Sequence, residues 1–171
     1  MNQENQADLL QFWASKEQHE TNTQHLGWDF THLKDRIVEE SHPWSYSELA
    51  KALLDQSTAI IDMGTAEGGR LLKLKEHWPA KVVVTEEHPP NFLLAKQNLE
   101  KHNVNVFDVR LTHTDSMPFE DREFDLVLNR HSAFNSNEVG RILAAGGVFL
   151  TQQIHGLWLA DLMAIFGVKP Q

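Results

Sequence analysis

No cysteine occurs anywhere in the chain, which excludes disulfides, thiolate metal sites and a thiol nucleophile. Long apolar runs are also missing. Nothing approaches the roughly 20 consecutive apolar residues of a membrane-spanning helix, and the start, Met1-Asn2-Gln3-Glu4-Asn5-Gln6, has neither the basic nor the apolar segment of an export signal. The expectation is a cytoplasmic protein without membrane contact. Positive charge is scarce as well: 15 Lys and Arg stand against 24 Asp and Glu, for a net charge of −9. The bases are scattered, so nucleic acid is not an expected partner. A small or weakly charged ligand suits the balance better, although net charge does not decide what one pocket holds. Histidines such as His19, His25, His32 and His42 form no H-E-x-x-H pattern, and no metal site is expected.

What is present suffices for one domain: 171 residues with 41% hydrophobic content can bury a core without staples. Residues 1–57 read as a polar, helical extension, with Leu9, Leu10, Phe12 and Trp13, then Leu33, Ile37 and Val38, at helical spacing. A helix over Glu48–Leu54 has Ser45 or Ser47 as its cap. From residue 58 the texture changes to short apolar runs separated by helical stretches, the pattern of βα units around a parallel sheet. Strands are expected at Ala59–Met63, Lys81–Thr85, Asn105–Arg110, Phe124–Asn129 and Val148–Gln153. Helices are expected near Gly69–His77, Asn91–Lys101, Asn137–Leu143 and Leu157–Phe166. The expectation is an α/β, doubly wound core over residues 58–171.

The chemistry concentrates where strands end. Asp62-Met63-Gly64-Thr65-Ala66-Glu67-Gly68-Gly69 links the first strand to its helix. Glycines let that backbone turn sharply and approach a ligand, and a helix start attracts an anionic group. A dinucleotide loop needs G-x-G-x-x-G directly after the strand, whereas Ala66 holds the middle glycine position here. An acid inside the loop opposes a pyrophosphate and suits a cationic amino-acid group. Glu86 closes the second strand, where a carboxylate accepts from both hydroxyls of a ribose. Thr114-Asp115-Ser116-Met117-Pro118-Phe119 sets a third acid beyond the third strand, within reach of an adenine amino group.

Taken together, these segments from Ile60 to Ile154 resemble the class I S-adenosylmethionine-dependent methyltransferases. The first loop is similar to that family's D-x-G-x-G-x-G, Ala66 being the departure. Asp115 to Phe119 resembles its D-x-x-x-P-F segment, and Glu138-Val139-Gly140-Arg141-Ile142-Leu143-Ala144-Ala145-Gly146-Gly147 its E-x-x-R-x-L-K-P-G-G turn. The resemblance implies a Rossmann-like, mostly parallel sheet in the order 3-2-1-4-5 and S-adenosylmethionine as methyl donor. It implies Asp62, Gly64, Thr65 and Gly68 around the donor's methionine part, Glu86 on the ribose, and Asp115 with Ser116 around the adenine. Asn129, Arg130 and His131 then flank the sulfonium, and Trp44-Ser45-Tyr46 belongs to a segment that closes over the donor. Family members complete the sheet with an antiparallel hairpin that is missing after Phe166. A fragment is therefore expected, with its fifth-strand edge open to self-association.

Methyl transfer asks mainly for alignment and exclusion of water. A base is needed only for a protonated nucleophile, and His131 is the candidate. The expected activity is methylation of a small molecule. Two alternatives stay open: a module that binds donor or product without turnover, and an NAD-dependent oxidoreductase.

Overall fold

A computed structural model describes residues 11, 12, 14, 15, 43–109, 116–157 and 160–167. The chain divides into two compact units, Met1–Ile37 and Val38–Gln171. In the first, the four described residues are helical; the rest of the helical extension expected there lies outside the described residues. The second contains the sheet. Its elements are α1 (Tyr46–Leu54), β1 (Ala59–Met63), α2 (Gly69–Leu72), β2 (Lys81–Glu86), α3 (Pro89–Leu99), β3 (Asn105–Asp108), β4 (Phe124–Arg130), α4 (Ser136–Ile142), β5 (Leu143–Gln152) and α5 (Ala160–Ile165).

The sheet is parallel throughout, in the order β3-β2-β1-β4-β5, as the sequence pattern and the resemblance imply. Parallel strands covered on both faces read as unbroken apolar runs, and Val82-Val83-Val84 in β2 is such a run, buried on both sides. On one face, Ala50, Leu54, Leu71, Ala95 and Leu99 from α1, α2 and α3 pack on Ile60, Val82, Val84, Leu126 and Leu128. On the other, Val139 and Ile142 from α4 join Met117 and Phe119 against Ile61, Met63, Val83, Phe124 and Val127. There Phe119 meets Phe107 and Phe124 edge-to-face at 5.1 and 5.3 Å, a favoured aromatic geometry.

Ser45 caps α1 by accepting from Glu48 N–H at 3.3 Å. Asp125 ties the foot of β1 to β4, its carboxylate accepting from Thr58 N–H, Thr58 Oγ1 and Ala59 N–H at 2.8, 2.6 and 3.2 Å. Burial pushes that carboxyl up, but these hydrogen bonds outweigh it and hold Asp125 below its ordinary pKa.

Several boundaries differ from expectation, among them the helix start at Tyr46, the third-strand end at Asp108 and the last helix over Ala160–Ile165, and three differences have a visible cause or consequence. The first helix after β1 ends at Leu72 rather than His77, and a 3-10 turn covers Lys75–His77. The Trp78 indole N–H donates to the Leu71 carbonyl at 3.1 Å, occupying an acceptor that a longer helix would use. The next helix begins two residues early, at Pro89, because prolines are tolerated in the first helical turn. The fifth strand begins at Leu143, not Val148. Its pairing advances from Phe124 to Leu126 on β4 while advancing from Leu143 to Val148 on β5, so Ala144–Gly147 is a bulge inside the strand instead of a turn before it. Gly146 adopts φ +80°, and a β-carbon on Gly147 would stand 2.9 Å from the Asp125 carbonyl oxygen.

Candidate functional site

All five parallel strands end on one edge of the sheet, and the winding reverses beside β1, between its neighbours β2 and β4. Ligands of open α/β sheets bind at that reversal, outside the carboxyl ends of the strands. The loop after β1 folds onto the end of β2: Gly64 N–H and Thr65 N–H both donate to the Thr85 carbonyl at 3.0 Å. Asn98 of α3 braces the loop by donating to the Glu67 carbonyl at 2.9 Å.

Glycine is required at two points here. Gly64 has φ +67°, and an added β-carbon would lie 2.3 Å from Ser132 Oγ; Gly68 has φ +81° and would strike the Leu99 side chain. Ser132, in the loop after β4, thus lies directly over the first glycine, a contact no spacing in the sequence signalled. Ala66 keeps the left-handed backbone that the family's glycine suits, with φ +56°. That geometry costs about 1–3 kcal/mol for a residue with a β-carbon. Its N–H donates to Glu86 Oε2 at 2.7 Å, which offsets part of the strain.

Glu86, 6% exposed, also accepts from His88 N–H through Oε1 at 2.9 Å. Each carboxylate oxygen therefore has one backbone donor and retains acceptor capacity. Asp62 sits one strand away. Burial pushes its carboxyl up to about 6, the Glu86 charge adds to the rise, and the Thr65 hydroxyl, donating at 2.7 Å, opposes it. Asp62, Gly64, Thr65, Gly68 and Glu86 are thus brought together by the β1–β2 loop system.

Asn129 is the last residue but one of β4 and is fully buried. Its Oδ1 accepts from Thr151 Oγ1 at 3.2 Å and Gln153 Nε2 at 2.6 Å, while its Nδ2 has no partner. Gln153 also donates to the Ser132 carbonyl at 3.2 Å, linking Asn129 to the loop that covers Gly64. His131 follows in a left-handed conformation, φ +57°, with its N–H donating to the Gln152 carbonyl at 2.9 Å. Its imidazole is exposed. Desolvation, then the charges of Arg130 and Arg70, hold its pKa below the ordinary histidine value.

Asp115 lies outside the described residues. Ser116 turns its hydroxyl to Glu138 Oε2 at 3.4 Å, part of a clamp whose function the sequence motif did not disclose. Arg141 donates to Glu138 at 3.0 and 2.8 Å, to the Phe119 carbonyl at 2.7 Å, to Asp121 at 3.0 Å and to the Met117 carbonyl at 3.0 Å. Glu138 in turn accepts from Met117 N–H at 2.8 Å. The Arg141 hydrogen bonds, aided by Met117 against some burial, hold the Glu138 carboxyl down at about 2. The pair fastens residues 116–121 to α4.

Tyr46 is turned inward at the start of α1. Its hydroxyl lies 3.3 Å from both the Asn129 and Leu150 carbonyl oxygens and accepts from Asn129 N–H at 3.2 Å. Burial, with the nearby Asp62 carboxylate, raises its pKa, so it remains a neutral phenol. Trp44 is 47% exposed. Among the described residues no cluster of acids and histidines could hold a metal ion, and no helix is long and apolar enough to cross a membrane.

No curated protein matches the sequence. Solved structures do resemble the fold. The YcgJ protein of Bacillus subtilis is 22% identical, with a TM-score of 0.50 over 62% of this chain and 49% of that one. A putative sarcosine dimethylglycine methyltransferase from Galdieria sulphuraria is 17% identical, with a TM-score of 0.53 over 73% of this chain and 53% of that one. An S-adenosylmethionine-dependent methyltransferase from Mesorhizobium loti is also 17% identical, with a TM-score of 0.53 over 68% and 57%. The chain thus spans about half the length of these proteins. The family model described as a methyltransferase domain matches residues 60–147, more than half of the chain, from the first buried strand through the bulge of β5, and the chain belongs to that family.

Proposed function

We propose that the chain binds S-adenosylmethionine and transfers its methyl group to a small-molecule acceptor. The observation that carries this reading is the pairing of Asp62 and Glu86 at adjacent strand ends around a turn that admits no β-carbon at Gly64. The site fits the donor's chemistry. Asp62 would accept from the ammonium of the methionine part, with Gly64, Thr65 and Gly68 lining it, and the free acceptor capacity of Glu86 would take the ribose hydroxyls. Asp115 and Ser116 would flank the adenine, and the unpartnered Asn129 Nδ2 would find an acceptor on the bound donor. When bound, the donor supplies a methyl carbon activated by positive sulfur, and a neutral thioether leaves as the acceptor's nucleophile bonds to that carbon. His131, kept neutral by its surroundings, would remove the proton from an acceptor that carries one.

Calorimetry of the chain with S-adenosylhomocysteine and with NAD tests the reading. Binding of S-adenosylhomocysteine alone is expected, and binding of NAD alone would sink it. The Glu86→Ala change should weaken S-adenosylhomocysteine by one or two hydrogen bonds, about 1–3 kcal/mol; unchanged affinity removes Glu86 from the site. Label transferred from the donor into a metabolite extract is the expected sign of turnover. Donor binding with no labelled product leaves a binding module.

A further inference from the structure

The acidic balance of the chain is inverted locally between α1 and α2. Ser47 and Lys51 from α1, and Arg70, Lys73 and Leu74 from α2 and the turn after it, line a cleft of about 220 Å³. Residues four apart on a helix share a face, so Ser47 and Lys51 reach in together, while buried Leu74 sits behind them. Lys51 is partly engaged by Glu48 at 2.6 Å. Among the described residues no carboxylate lies within salt-bridge distance of Arg70 or Lys73. Arg70 and Lys73 thus bring two cations without a described carboxylate partner into a hollow where Glu48 engages only the third.

The cleft adjoins the candidate site. Arg70 follows Gly68-Gly69 directly, and its charge bears on the His131 imidazole. The lining suits an oxyanion: a guanidinium for two-point contact, two ammonium groups as point charges and a hydroxyl as neutral donor. A hollow of this size accepts a single anionic group, not a nucleic-acid backbone.

We propose that the Ser47–Lys51–Arg70–Lys73 cleft binds an oxyanion, and that this anion is the carboxylate or phosphate of the methyl acceptor. The second half rests on the methyltransferase reading; the first does not. The earlier expectation of a weakly charged ligand is narrowed accordingly, since the cations are few but local.

The test is a titration of the full chain, at low ionic strength, with inorganic phosphate and separately with succinate, followed by amide chemical shifts. The comparison protein is the double change Lys51→Gln and Lys73→Gln, outside the residues assigned to the donor. Saturable binding by the unchanged chain is expected, weakened about tenfold or more when two charge-assisted contacts are lost. The affinity for S-adenosylhomocysteine should stay within about twofold, because neither lysine belongs to the donor site. The tighter of the two probes identifies the group. Equal binding by both proteins, or none by the unchanged chain, overturns the cleft. Anion binding lost in the double variant, when neither protein binds S-adenosylhomocysteine, keeps the cleft and overturns its link to a methyl acceptor. With turnover established, labelled product from an extract should be retained on an anion exchanger; product found only in the unretained fraction overturns the acceptor assignment.

Discussion

Strands β2 and β5 belong to one parallel sheet, yet β2 is buried from Val82 to Glu86 while no residue of β5 is fully buried. β2 has a strand on each side and helices over its inner face; β5 is paired with β4 alone among the described residues. The two sides also use different forces. Around β1 and β2 the end of the sheet is set by apolar packing and by hydrogen bonds to the backbone, those of the Glu86 carboxylate and the Asn98 amide among them. Around β4 and β5 it is set by side-chain networks, Asn129–Thr151–Gln153–Ser132 above the sheet and Glu138–Arg141 beside it. A ligand spanning both would meet carboxylates and a glycine turn on one side and an amide and hydroxyl network on the other.

The largest expected effect tests the packed side. Ile61→Ala, fully buried in β1, should destabilise the fold by about 2–5 kcal/mol in chemical denaturation; a loss below about 1 kcal/mol would break the contrast. On the polar side, Glu138→Gln should cost about 1–3 kcal/mol at neutral pH by leaving Arg141 with Asp121 as its one remaining carboxylate partner. Its pH profile is specific. A carboxyl lowered to about 2 in the fold contributes stability that is present above its ordinary value near 4.5 and is lost as pH falls toward 2. The gap between the two proteins should therefore close over that range.

Asp62 behaves in the opposite sense. A carboxyl raised to about 6 by the fold opposes folding when ionised, so the penalty is absent below about pH 4 and complete above about pH 6. Asp62→Asn should therefore raise stability at pH 7 by about 1–2 kcal/mol, discounted for its partial exposure, with no gain at pH 4. The same change should weaken S-adenosylhomocysteine, and a gain in stability with donor affinity intact would separate Asp62 from the site. The smallest effect is Val148→Ala. At 40% exposure it should shift stability by no more than about 0.5–1 kcal/mol, and a loss equal to that of Ile61→Ala would show that β5 is as packed as β1.

The contrast also marks what could be read from residues alone. β1, β2 and β4 were legible to within a residue as apolar runs, of which β1 and β2 carry the acids Asp62 and Glu86 near their ends, and those two acids do stand together. The start of β5 was hidden because Ala144-Ala145-Gly146-Gly147 carries turn chemistry, and a bulge uses the same residues. The short α2 depends on an indole arriving from Trp78, and the cover over Gly64 on Ser132, 68 positions away; neither contact leaves a periodic trace. Glu138 and Arg141 were visible as a motif, but only their geometry shows a clamp on residues 116–121.

The phenol of Tyr46 acts as an extra rung of the β4–β5 ladder, supplied by a side chain. Fraying of the edge strand from its ligand-facing end must break that rung, which belongs to the first turn of α1. Hydrogen exchange should therefore find amides at the start of α1 and at the end of β5 opening together, and independent opening would show that the phenol couples neither. An edge strand of the sheet is moored to the first turn of α1.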